Sequence, residues 1–209
     1  MKKELLFIGT GYVGGFLAHN YEKFNPDFRI LGFLDVNPEK PKKEFFGYEV
    51  FGDIDCLRNF PKGISVLVGI ANPVTKKKVV ERINQYEPTF VSFIHERAWI
   101  SQGVTLGKGV IIYPGVSINY ASTIGDFATI NMNCAIGHHC TISSFCALAP
   151  GVSLAGFTYL EESVDFGIGA CSIQKVHVGE GAVIGGQGML IRDVASQAKV
   201  VGVPARQIN

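Results

Sequence analysis

Residues 135–140 read AIGHHC, two adjacent histidines against a cysteine, with Cys134 just before and Cys146 six residues past Cys140. Three chemistries use such residues. Imidazole and thiolate are zinc ligands, clustered thiols support redox exchange, and a histidine set among ordinary repeats can serve as a general base. A second stretch, GTGYVG at 9–14, satisfies G-x-G-x-x-G, and Asp35 follows Gly11 by 24 residues. A turn of that kind lets the backbone approach a phosphate at a helix N-terminus, while the acid reaches a ribose hydroxyl. Tight strand–helix packing with no ligand is the structural alternative. Which chemistry applies depends on the elements that hold these residues.

From Ile100 onward the chain has a period of six. Every sixth residue from 100 to 190 is Ile, Leu or Val in fourteen of sixteen cases, the exceptions being Phe166 and Ser172. Four residues after each lead sits a small or β-branched residue, as in Val104, Ala128, Cys134, Cys140, Cys146 and Thr158. A helix cannot use this period, but short strands joined by tight turns can, and three hexads make one triangular coil of a parallel β-helix. Sixteen hexads predict about five coils. The hexapeptide version winds left-handed, against the usual crossover preference. Residues 18 apart then stack at about 4.8 Å, while residues six apart lie on different faces. Cys134, Cys140 and Cys146 therefore read as inward, non-converging core thiols. His138 and His139 are expected to part to opposite sides of a strand. His177 lies 39 residues past His138, which is no whole number of coils. Both points weigh against a zinc site, and no metal is expected.

Residues 1–95 follow a different rhythm. ELLFIG (4–9), RILGFLD (29–35), SVLVGIA (65–71) and FVSFIH (90–95) read as strands. VGGFLAHNYEKF (13–24) has helical spacing, and NPVTKKKVVERINQY (72–86) opens with Asn72 as N-cap and Pro73 at the first helical position. DVNPEKPKKEFFG (35–47) reads as a charged loop. The expected fold is an α/β N-terminal domain, a small Rossmann-like βαβ unit over 1–95, followed by a left-handed parallel β-helix over 96–209 with a C-terminal tail.

Composition narrows the function classes. A net charge of +1 over 209 residues gives no electrostatic case for nucleic acid or an anionic membrane. The opening lysines and apolar run dissolve into glycines too soon for a signal peptide, and no stretch approaches the roughly 18 apolar residues of a membrane span. Five cysteines at this length suggest reduced thiols in a cytoplasm.

FIGTGYVGG, ILGFLDVNP, VGIANPVTKKK, FIHERAWIS, INMNCAIGHHCTI, LAPGVSLAG, FGIGACSI and VVGVPAR, in this order, resemble the nucleotide-sugar acyltransferases of the hexapeptide-repeat superfamily. Sialic acid O-acetyltransferase-like proteins and bacillosamine and perosamine N-acetyltransferases belong to that group. The resemblance implies a homotrimer using acetyl-CoA, with active sites between adjacent β-helices. The implied reaction acetylates an amino or hydroxyl group of a nucleotide-activated sugar, such as a 4-amino-4,6-dideoxy sugar, for surface glycan synthesis. It implies His138 as general base, Gly156 as oxyanion donor through its N–H, and Asn131 as an orienting residue beside the base. Gly156, Gly167, Ile168 and Gly186 would line the CoA groove, and Gly11, Tyr12, Asp35 and Asn72 the nucleotide-sugar pocket. The spacing agrees with one of these pairings, since Gly156 lies 18 residues, one coil, beyond His138.

The chain also departs from the family pattern. His139 stands where an Asp or Glu usually follows the base, and a carboxylate there would raise the base's proton affinity. Tyr12 and Val13 replace the usual Gly-His of the first glycine-rich turn, and Ala147 replaces a polar CoA contact. A sialic acid or sugar O-acetyltransferase, a non-catalytic β-helix scaffold and a zinc-dependent hexapeptide hydrolase are the alternative readings.

Overall fold

A computed structural model describes residues 2–25, 27–36 and 43–208. Residues 37–42 of the charged loop read at 35–47 lie outside the described residues. The chain divides into two compact units, Met1–Phe93 and Ile94–Asn209.

The first unit is built on β1 (Lys3–Ile8), α1 (Tyr12–His19), α2 (Tyr21–Phe24), β2 (Phe28–Asp35), β3 (Glu44–Phe45), β4 (Tyr48–Asp53), β5 (Ser65–Val68), α3 (Pro73–Ile83) and β6 (Thr89–Phe90). The sheet order is β3-β4-β2-β1-β5-β6, parallel except for the β3–β4 hairpin. β1 lies between β2 and β5, and Leu5, Leu6, Phe7 and Ile8 are all fully buried. That burial on both faces explains the continuous apolar run of a parallel strand. The helical pattern read over 13–24 breaks into two at Asn20, whose backbone and side-chain N–H groups both donate to the Phe16 carbonyl. The β4 strand escapes the sequence pattern because its exposed and half-buried residues do not alternate. Strand FVSFIH ends its first rung at Phe90, and a separate one covers Phe93–Ile94.

The second unit is a left-handed parallel β-helix. Each hexad contributes a two-residue strand whose second residue is the lead, from Trp99–Ile100 to Met189–Leu190. Strands 18 residues apart pair in parallel, so Ile118 faces Ile136, Ile136 faces Leu154 and Leu154 faces Ser172. The stretch 158–166, whose composition strays from the repeat, keeps this register through Tyr159–Leu160 and Asp165–Phe166. The second turn residue of each hexad takes a positive φ. Glycine fills some corners, such as Gly151 at +73°, and larger residues fill others, including Phe127 (+59°), His139 (+55°) and Phe157 (+62°).

The leads and the small residues four positions on form one core. Phe166, one exception to the repeat, is fully buried there. Ser172, the other, pairs its hydroxyl with Thr158 Oγ1 at 2.9 Å, and Thr158 donates to the Ala155 carbonyl at 2.7 Å. Two polar intrusions thus satisfy each other, which removes most of the cost of burying them.

Candidate active site

The cysteines do not join the histidines. Cys134, Cys140 and Cys146 are inside the β-helix, at most 1% exposed. Each thiol donates to a carbonyl fifteen residues on: Ala149 at 3.2 Å, Ala155 at 3.3 Å and Glu161 at 3.0 Å. Burial pushes the Cys134 thiol up to about 11 and the Cys146 thiol to about 12, and raises Cys140 as well. These are protonated core groups, without the thiolate that redox exchange or zinc binding needs. Among the described residues, no three His, Cys, Asp or Glu side chains are grouped to hold a metal ion.

The histidine pair is placed differently from the expectation of opposite strand faces. The strand ends at Ile136, and His138 and His139 are the two residues of the turn that follows. In a turn, side chains do not alternate, and both rings project to the same corner. Their Nδ1 atoms are 3.0 Å apart, a hydrogen bond in which one ring donates and the other accepts. Their planes stand at 90°. Tyr120, one coil below, stacks on His138 (centroids 5.5 Å apart, 14°), and Phe157, one coil above, stacks on His139 (4.8 Å, 19°). Phe157 also meets His138 edge-on at 5.1 Å. The stacking follows from the repeat: turn residues 18 apart are superposed, as Phe127 and Phe145 are at another corner (5.1 Å, 10°). Tyr120 is 49% and Phe157 45% exposed, so this aromatic cluster is open to a ligand.

Gly156 sits directly against the first ring. A Cβ built on it would lie 2.9 Å from both Cε1 and Nε2 of His138, so the Nε2 edge faces this glycine's backbone. The Gly156 N–H has no hydrogen-bond acceptor among the described residues. Gly137 completes the arrangement. A Cβ there would stand 2.6 Å from the Gly156 nitrogen and block it. Gly137 is absent from the sequence-derived candidates, and its signal there is its place directly after a lead, where Gly107, Gly125, Gly167, Gly179 and Gly185 also stand. A proton acceptor beside an unobstructed N–H donor is the pair of groups that acyl transfer requires.

The remaining candidates fall into three places. Asn131 follows the Thr129–Ile130 strand on the eight-stranded face, while His138 lies between strands of the other two faces. Its Oδ1 accepts from the Met132 N–H at 2.8 Å. Gly167, Ile168 and Gly186 are brought together on adjacent coils. A Cβ on Gly167 would meet the Gly186 nitrogen at 2.5 Å, one on Gly186 would meet Ile168 Cγ2 at 3.1 Å, and the Ile168 side chain is 58% exposed. A groove of about 390 Å³ runs along the six-stranded face to Gly137, kept open by small side chains at Ser117, Ala135 and Ser153.

In the first unit, Gly11, Asp35 and Asn72 lie at or just beyond the carboxyl ends of three neighbouring parallel strands, β1, β2 and β5. That is where open α/β sheets hold ligands. Gly9 turns the chain at φ +102°, and a Cβ on Gly14 would strike the Gly9 carbonyl oxygen at 2.4 Å. These two glycines serve the tight turn and close packing, whereas Gly11 has open space around it and Tyr12 is 98% exposed. Asp35 is nearly buried, and its Oδ1 accepts from the Val36 N–H at 2.7 Å. Asn72 caps α3 by accepting from the Thr75 N–H at 2.9 Å, as the sequence pattern predicts.

Residues 4–83 match the family model of the PglD N-terminal domain. Over nearly their full lengths, solved structures share the architecture of both units. A histidine-to-asparagine variant of perosamine N-acetyltransferase from Caulobacter crescentus, solved with CoA and GDP-perosamine, is 26% identical. Its TM-score is 0.91, with 99% of this chain and 97% of that one covered. PerB from the same organism, also with CoA and GDP-perosamine, is 27% identical with a TM-score of 0.90 and the same coverage. The acetyltransferase domain of PglB from Neisseria gonorrhoeae, with acetyl coenzyme A, is 24% identical, covers all of both chains with a TM-score of 0.89, and supports the fold alone. Residues 4–83 thus form a PglD-type N-terminal domain, and the second unit shares the β-helix architecture of these solved N-acetyltransferases, with a histidine set against a glycine one coil above.

Proposed function

We propose that the chain transfers the acetyl group of acetyl-CoA to the amino group of a nucleotide-linked sugar, working as a homotrimer in the cytoplasm. The observation that carries the reading is the placement of His138 Nε2 only 2.9 Å from where a Cβ on Gly156 would stand, with no acceptor on the Gly156 N–H among the described residues. The acceptor nitrogen attacks the thioester carbonyl while His138 Nε2 takes its proton. The Gly156 N–H donates to the developing oxyanion. Collapse expels the CoA thiolate, which recovers the proton from the imidazolium, leaving an amide and free CoA thiol. The rate gain comes chiefly from holding amine and thioester in line, with the base and the N–H fixed beforehand.

The same reading assigns Gly167, Ile168 and Gly186 to the CoA groove and Gly11, Tyr12, Asp35 and Asn72 to the nucleotide-sugar pocket. It brings Asn131 to the base from a neighbouring subunit, because its own turn leaves it on another face. The stacked glycines support the CoA assignment, since CoA's pantetheine arm needs a backbone surface free of side chains. The test is acetyl transfer from acetyl-CoA to a panel of UDP-, GDP- and dTDP-linked amino sugars, with hydroxyl-only sugars as controls and product read by mass spectrometry. Acetylation confined to amino sugars supports the reading. Acetylation only of the hydroxyl sugars, or none with any acceptor, overturns it.

A further inference from the structure

The role of His139 follows from the geometry around it. Its Nδ1 is 3.0 Å from the Nδ1 of His138, and His138 turns its other nitrogen toward Gly156. We propose that His139 is a neutral positioning residue that accepts the His138 Nδ1–H through its own Nδ1 and so fixes His138 in the tautomer with a free Nε2 lone pair. The inference rests on the function proposed above, because that function requires the lone pair at Nε2. It also fixes the second tautomer: His139 must carry its proton on Nε2.

A carboxylate in this place would hold the base by charge. Here a neutral ring does so, and neutral rings need other restraints. Phe157 supplies one by stacking on His139, Tyr120 another by stacking on His138, and the αL turn at His139 swings the two rings onto one corner. During transfer His138 becomes an imidazolium by gaining the acceptor's proton on Nε2. Its Nδ1–H stays bonded to His139, whose Nε2–H is unchanged, so one proton is gained and returned per cycle. The titratable groups packed against the pair are few. Tyr120 comes from the coil below, the coil above presents Gly156 and Phe157, and Lys175 lies 36 residues, two coils, beyond His139, its N–H bonded to the Gly156 carbonyl at 3.0 Å. No carboxylate is hydrogen-bonded to either ring among the described residues.

Three variants of the full chain separate the acceptor from the ring. His139→Phe keeps the stacking and an αL position that Phe occupies at three other corners, but removes the acceptor. His139→Asn keeps an acceptor in a residue that tolerates αL and removes the stacking. The expected result is a kcat about 10- to 100-fold lower in His139→Phe, the loss of one hydrogen bond to a group that becomes charged. KM for acetyl-CoA stays near the wild-type value, and His139→Asn recovers most of kcat. His139→Asp places a carboxylate beside the imidazolium, so the acid limb of its kcat/KM profile sits at higher pH than in the wild type. Equal losses in the Phe and Asn variants, the reverse ranking, or an unmoved acid limb in His139→Asp overturns the proposal. A measurement that needs no turnover keeps it apart from the functional reading. Long-range nitrogen-15 NMR of the histidine rings in the wild-type protein should show His138 protonated on Nδ1 and His139 on Nε2. The opposite pair of tautomers overturns this inference even if acetyl transfer is observed, whereas absent transfer with the expected tautomers counts against the function alone.

Discussion

Gly156→Ala tests the site with one methyl group. Its Cβ would stand 2.9 Å from Cε1 and Nε2 of His138 and 3.3 Å from Cδ2. Carbon atoms rest about 3.5–4.0 Å apart, so the ring must retreat by roughly 0.6 Å or more. Retreat is opposed by Tyr120 stacked on the ring, by Phe157 at its edge and by the Nδ1 bond to His139. A misplacement on the order of 1 Å in a reacting geometry costs about 100-fold in rate, which is about 2.7 kcal/mol of barrier. The backbone is not the cause, because Gly156 is not at a positive φ, so folding stability should change by less than about 1 kcal/mol. The assay is steady-state acetyl transfer with chromatographic detection of free CoA, alongside urea unfolding and calorimetric binding of acetyl-CoA. We expect kcat to fall about 100-fold with stability nearly intact, and acetyl-CoA affinity to fall much less than kcat because Gly156 is one of several residues assigned to the CoA groove. Turnover within threefold of wild type would refute the reasoning, as would a loss of activity that merely follows a loss of stability.

Two further predictions test the core readings. Titration of the native protein with an aromatic disulfide reagent at pH 8 should find Cys56 and Cys171 reactive and Cys134, Cys140 and Cys146 silent until urea is added, because burial holds those three as thiols; three or more fast thiols contradict the core assignment. Lys76 in α3 is 1% exposed, and burial lowers its pKa from 10.5 to about 7. The unfolded chain therefore binds more protons between pH 7 and 10.5, so stability rises with pH in that window, by about 2 kcal/mol from pH 7 to pH 9 from this group. Urea unfolding at the two pH values should show the gain in wild type and a smaller one in Lys76→Met, and equal gains in both would remove Lys76 as the cause.

The β-helix was legible because its signal is redundant. Sixteen leads in one register specify the strands, the coil and the 18-residue stacking, and two polar or bulky exceptions cannot shift it. The pairing of His138 with Gly156 came from the same count. What the repeat hid is the turn. A period of six marks where strands recur but not which residues leave the strand, so alternation was carried two residues too far and the histidines were expected to diverge. The positive φ at each corner is invisible when Phe, His and Lys fill positions that glycine fills elsewhere. In the first unit, burial on both faces made β1, β2 and β5 obvious, whereas the β3–β4 hairpin has no such run. The roles of glycines 9, 11 and 14 are read from what a Cβ would strike, which composition does not contain.

In the proposed reaction His138 takes the acceptor's proton while CoA and sugar are held independently of it. Single-turnover acetyl transfer with both substrates saturating, compared between wild type and His138→Ala, measures this directly. Transfer in the variant should be at least 100-fold slower, within the usual 10²- to 10⁴-fold range for a general base, with dissociation constants for acetyl-CoA and the nucleotide-linked amino sugar unchanged. Transfer at a near wild-type rate, or a slow rate explained by weakened binding of either substrate, would contradict it.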